Sequence, residues 1–199
     1  MNFLTVIFLI HGLGGTSTSL QPLKAYLEYQ GYTNVHLIEY KSRQQSLENS
    51  IIEVNEQMNR IVGNNGHNPE IVLIGQSLGG LICHNMQLFG WNIVKSITIG
   101  SPHHGSALLN FAEKWVPEKI ANYLRKPVYK DLYKQQALLP PHPYYTISTS
   151  FVPCFDFDGQ VWITETMIDD EKHTHIPFNN HWTIFLDPRL FLEVVRILN

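Results

Sequence analysis

The 199-residue sequence predicts an α/β fold, a mostly parallel central sheet with helices on both faces. Three observations predict it. Short Val/Ile/Leu-rich runs alternate with segments whose apolar residues recur every three or four positions. Each run is short and bounded by polar or Gly/Pro residues, as expected for strands buried on both faces. The composition, 44% hydrophobic and 16% charged, supplies one sizeable core and carries no sign of disorder. No internal repeat or linker interrupts the chain, so one domain over residues 1–199 with a single insertion is the economical organisation.

The first strand is expected over 3–10, and it could be mistaken for a targeting segment. It lacks a basic leader, runs directly into His11-Gly12 with no small-residue cleavage site, and falls far short of the roughly 20 residues that span a bilayer. It therefore reads as a buried strand, with a cytoplasmic location and no stable membrane insertion as the expectation. Further strands are expected over 34–40, 70–75, 93–100 and 144–150.

Helices fit between them. Residues 19–30 follow Ser/Thr capping candidates and end at Gly31. Residues 45–62 carry Leu47, Ile51, Val54, Met58 and Ile61 on one side and end near Gly63. Residues 78–89 stop at Gly90. The last helix, 188–198, opens with Asp187 as a cap and Pro188 in the first turn. Two stretches break the alternation. Residues 103–143 hold amphipathic pieces (Leu108, Leu109, Phe111 and Trp115, then Ile120, Tyr123 and Leu124) and end in Pro140, Pro141 and Pro143, which reads as a small cap insertion. Residues 159–180 read as strand or loop, ending in Asn179-Asn180.

A net charge of −3 and the absence of any Lys/Arg run argue against nucleic acid or an anionic membrane as partner. Cys83 and Cys154 stand far apart outside any CxxC pattern and read as small buried residues, a disulfide being the other possibility.

Chemistry concentrates in two glycine-rich turns. Ile71-Val72-Leu73-Ile74 leads into Gly75-Gln76-Ser77-Leu78-Gly79, a strand, then Gly-x-Ser-x-Gly, then a helix. A hydroxyl that must project above the sheet edge needs a tight, strained turn with Ser77 at its apex. Gly75 and Gly79 sit where a β-carbon would meet the neighbouring strand and helix. His11-Gly12-Leu13-Gly14-Gly15 follows the first strand. A tetrahedral intermediate needs two N–H donors already in place, and the amides of Leu13 and Leu78 are the candidates. A phosphate loop is the competing reading of the glycines, but neither GxGxxG nor GxxxxGK[ST] is present. His11 reads as a residue that positions the loop.

With these motifs, the chain resembles the lipase/esterase branch of the α/β-hydrolase family. Gly100-Ser101-Pro102-His103-His104-Gly105-Ser106 is similar to the TPHxGS segment of many such lipases. Asp158-Gly159-Gln160-Val161 with Glu165-Thr166 is similar to the stretch that carries the family's catalytic acid, and His181 before Leu186-Asp187-Pro188 to its catalytic-histidine loop. The resemblance implies an α/β-hydrolase fold and a Ser77, Asp158, His181 triad. The chemistry independently needs a base and a carboxylate to hold it. Of ten histidines, His181 lies in a polar loop before the final helix, with His175 next in rank. Asp156 and Asp158 both follow the expected strand 144–150, and the Asp-Gly-x-Val pattern favours Asp158, with Asp156 the alternative.

The expected activity is hydrolysis of a carboxylic ester through an acyl-enzyme, on a small-molecule ester or lipid, with neither cofactor nor metal required. Thioesterase, acyltransferase and peptidase chemistry use the same groups and stay open, as does a non-catalytic binding protein on the same fold. Leu109 and Trp115 are expected to face the acyl group from the insertion. A surface helix pair packed on the sheet is the alternative there.

Overall fold

Side chains alternate along a strand, and here that alternation divides one core into two. In the computed structural model, which describes residues 5–63, 68–115, 140–152 and 155–199, the five expected strands form and a sixth joins them. They are β1 (Val6–Ile10), β2 (Val35–Ile38), β3 (Ile71–Gln76), β4 (Ile93–Ile99), β5 (Tyr144–Ser150) and β6 (His173–Pro177). Every pairing is parallel, in the order β2-β1-β3-β4-β5-β6.

From β1, Phe8 and Ile10 enter a core with α2 (Leu47–Val62) and α3 (Leu78–Asn85), through Val54, Met58, Leu81 and Ile82. Ile7 and Leu9 point the other way. They pack with α1 (Gln21–Tyr29) and the C-terminal helix (Pro188–Leu198) through Leu23, Leu27, Leu190 and Val194. Helices therefore cover both faces, and the architecture is that of an α/β-hydrolase.

Helix ends follow their caps. Ser46 accepts the Asn49 N–H at the start of α2, and Gly63 closes it at φ 71°. Asp187 caps the last helix through the Arg189 N–H, with Pro188 in its first turn. The segment expected as one helix over 78–89 is α-helical only to Asn85 and finishes as a 3-10 turn before Gly90. Two more helices follow β4 and β5, α4 (Ala107–Trp115) and the single turn α5 (Ile163–Thr166), so the C-terminal helix is α6. Of the insertion, residues 116–139, with Ile120, Tyr123 and Leu124, lie outside the described residues, as does Cys154; Cys83 is free and buried. Among the described residues, no helix is long and apolar enough to cross a membrane.

Strand β6 departs from an apolar run. It presents His173, Thr174 and His175, and only Ile176 is buried. Its histidines bond to hydroxyls on β5, His173 to Thr146 and Ser148, His175 to Ser148 and Ser150. Burial, aided by the neighbouring His175, pushes the His173 imidazole from its ordinary 6.5 down to about 4. The unfolded chain regains the ordinary value, so it takes up a proton that the folded chain refuses. The His173 contribution to stability is therefore full above pH 6.5 and falls progressively as pH drops toward 4. Melting temperature should decline over that window, and His173→Asn should flatten the decline. His84, His103 and His142, also lowered by burial, would keep a residual slope. Identical slopes in parent and variant would show that His173 is not held neutral.

Candidate functional site

The strand order reverses between β1 and β3, since β2 is laid on one side of β1 and all later strands on the other. In open parallel sheets the crevice at the carboxyl ends of such a pair is the natural binding site. Register brings Ile10 beside Gly75, so the two glycine-rich turns leave the sheet side by side. A β-carbon on Gly12 would lie 2.9 Å from the Ser77 Cβ.

Ser77 occupies φ 50°, ψ −117°, a conformation that L-residues disfavour. Close packing enforces it. A β-carbon on Gly75 would stand 2.5 Å from the backbone of Gly79, and one on Gly79 would collide with the carbonyls of Ile10 and His11. The Ser77 N–H donates to the Ile99 carbonyl at 2.9 Å, which ties the turn to β4. Its hydroxyl makes no hydrogen bond among the described residues, and neither do the amides of Leu13 and Leu78. Leu13 lines the same cavities as Ser77 and Leu78 follows Ser77 directly, so two amides without partners belong to residues beside a free hydroxyl.

The loop carrying Leu13 is fixed from behind. His11 is fully buried, stacks on Tyr40 at 4.4 Å and approaches Glu39 at 3.3 Å. The Tyr40 hydroxyl donates to the His11 carbonyl at 2.8 Å, and Ser42 Oγ accepts the Gly14 N–H at 2.9 Å. Gln76 bridges the site at long range: its Oε1 accepts the Gly12 N–H and its Nε2 donates to the His181 carbonyl, both at 3.4 Å.

Asp158 and His181 meet as a buried pair, Oδ2 to Nδ1 at 2.7 Å. The other carboxylate oxygen accepts the Gln160 and Val161 amides at 2.8 and 2.7 Å, and the His181 N–H donates to the Asp158 carbonyl at 3.0 Å. Main chain and side chain clip the two residues together. Asp156 is exposed and makes no hydrogen bond or ion pair with His181, and His175 is engaged on the sheet. With Nδ1 donating to the carboxylate, Nε2 of a neutral imidazole is left to accept a proton.

Ser77 and His181 line one cavity of about 200 Å³, shared with Leu13, Arg43, Gln160 and Trp182. A second, of about 160 Å³, also opens on Ser77 and is walled by Leu13, Pro102, Leu108, Leu109 and Val161. Leu109 thus borders Ser77. Trp115 does not line either cavity; it is 74% exposed and stacks on Phe111. The reason is helical geometry: six residues at 100° each carry Trp115 off the face that holds Leu109, and further along α4.

Sequence reasoning gave Glu165 no role. It is buried, accepts the Ala107 N–H at the start of α4 (2.6 Å) and the Trp162 N–H (3.0 Å), and so locks the wall carrying Leu109 to the Asp158 loop. Burial raises its carboxyl above the ordinary range, although both N–H donors oppose the shift. The signal was there in the Glu165-Thr166 pair that follows Asp158.

The model of the palmitoyl protein thioesterase family matches residues 6–149, nearly three-quarters of the sequence. The chain belongs to the palmitoyl protein thioesterase family. The matched residues take in the Leu13 loop and the Ser77 turn and stop short of Asp158 and His181. Family membership makes the chain a hydrolase of lipase, esterase or thioesterase type.

Among solved structures, Bacillus licheniformis lipase BlEst2 in mature form is similar at TM-score 0.72 and 17% identity, over 97% of this chain and 91% of that one. A Listeria innocua gene product follows at TM-score 0.68 and 16% identity, covering 98% and 94%. Phospholipase PlaB from Legionella pneumophila matches at TM-score 0.66 and 15% identity over 82% of this chain, which spans only 44% of PlaB. At these identities the likeness is one of fold. No match was found among curated proteins.

Proposed function

We propose that the chain hydrolyses carboxylic esters of apolar acyl groups, small-molecule or lipid, through an acyl-enzyme on Ser77. The observation that supports this is the Asp158-held imidazole of His181 sharing a cavity with a serine hydroxyl beside two residues with free amides. His181 Nε2 takes the Ser77 proton as Oγ bonds to the acyl carbon. The amides of Leu13 and Leu78 hold the oxyanion, and Asp158 stabilises the imidazolium. The bond from acyl carbon to leaving oxygen then breaks, and His181 returns the proton to that oxygen. Water, deprotonated by the same imidazole, attacks the acyl-enzyme and frees the acid and Ser77.

The family match favours a second reading, in which the leaving atom is sulfur and the substrate an acyl-thioester. The steps are unchanged. Turnover of p-nitrophenyl esters of rising chain length, beside thioesters of the same acids, tests both; failure with every ester and thioester would refute the proposal.

The apolar cavity is the acyl side in this reading. Leu109→Ala should raise KM for long-chain esters more than for acetate, since each buried methylene contributes about 0.8 kcal/mol of binding. Equal effects on short and long chains would remove Leu109 from the acyl wall.

A further inference from the structure

The two cavities that meet at Ser77 differ in kind, and the chemistry decides which half of the substrate each receives. The proton that His181 carries must reach the leaving atom. His181 lines the larger cavity and is absent from the lining of the apolar one. The larger cavity is therefore the leaving-group side. Arg43 is the only lysine or arginine on its lining among the described residues.

Arg43 makes no ion pair or hydrogen bond among the described residues. The nearby carboxylates are engaged elsewhere. Glu39 accepts the Ser17 N–H and approaches His11; Glu53 accepts Gln45 Nε2 and the Lys41 N–H. Both line, with Arg43 and Lys41, a neighbouring groove that shares Gly14, Gly15 and Arg43 with the Ser77 cavity, and neither carboxylate lines the Ser77 cavity itself. The guanidinium also rests directly on Gly14, where any β-carbon would collide with Nε, Cζ and Nη2. An unpaired planar cation is thus stacked on the loop that carries the Leu13 amide.

Resting on the proposed Ser77 chemistry, we infer that Arg43 selects acyl esters or thioesters whose leaving group carries an anionic oxyacid, a carboxylate or a phosphate. A guanidinium donates in parallel to two oxygens of such a group, which an amide or an alcohol cannot reproduce.

The test pairs butanoyl esters with matched leaving groups: 4-hydroxybenzoate against neutral 4-hydroxybenzamide, and 4-hydroxybenzyl phosphate against 4-hydroxybenzyl alcohol, acylated on the phenol. The parent should favour the anionic member of each pair in kcat/KM, and the preference should shrink as salt is raised. Arg43→Gln should lower the anionic-to-neutral ratio roughly tenfold, through KM, and Arg43→Lys should restore part of it. The carboxylate and phosphate arms show which oxyacid is preferred. Equal loss on both members of a pair would mean that Arg43 only supports the loop, and an unchanged ratio would mean that it binds nothing; either overturns the inference while leaving Ser77 chemistry standing. No turnover by the parent of any ester, or of thioesters of the same acids, would overturn both.

Discussion

Ser77→Ala is expected to lower turnover by several orders of magnitude, up to roughly 10⁶-fold where nucleophile, base and acid act as one unit. The fold should persist. The hydroxyl has no partner among the described residues, so its removal orphans no donor or acceptor there. A melting curve matching the parent's, with loss of both turnover and labelling by a serine-directed fluorophosphonate, is the expected result. Undiminished turnover with labelling at another serine would end the assignment.

The second large effect concerns the acid. Asp158→Asn should cost on the order of 10⁴-fold in turnover, the scale seen when the carboxylate of such a triad becomes an amide. The physical cause lies in the contacts. Asp158 Oδ1 accepts two amides while Oδ2 faces His181 Nδ1, so an asparagine that keeps its oxygen toward Gln160 and Val161 turns its NH₂ toward the imidazole. Nδ1 then has to accept, Nε2 carries the proton, and the base is in the wrong tautomer. Asp156→Asn, at an exposed side chain, should cost little. A reversal of the two outcomes would make Asp156 the acid.

What could be read from the sequence follows from what each element buries. Strands β1 and β3 declare themselves because both faces are covered, leaving Val6–Ile10 and Ile71–Ile74 continuously apolar. Strand β6 buries one residue and is held by His-to-hydroxyl bonds, so hydropathy left it between strand and loop. The Ser77 turn was legible because its glycines are dictated by backbone collisions, which leave a fixed spacing in the sequence. Asp158 and His181, 23 positions apart, carry no such local constraint and were reached through resemblance and order. Arg43 and Glu165 lie in segments whose roles come only from tertiary proximity. A lone arginine after a serine reads as solvent-facing, and Arg43 is exposed; its place over Gly14 emerges only from the tertiary structure. Leu109 and Trp115 were grouped by apolarity, but the direction of α4 separates them.

The backbone at Ser77 gives the chain an evolutionary asymmetry. Holding a non-glycine residue at φ 50°, ψ −117° costs on the order of 1–3 kcal/mol, a sizeable share of the 5–15 kcal/mol by which domains outlast unfolding. Glycine would relieve that strain. Selection for persistence of the fold alone would drift position 77 toward glycine, and selection for turnover opposes it. The serine is thus the residue whose retention depends most directly on use, and a lineage that abandoned catalysis would be expected to lose it early.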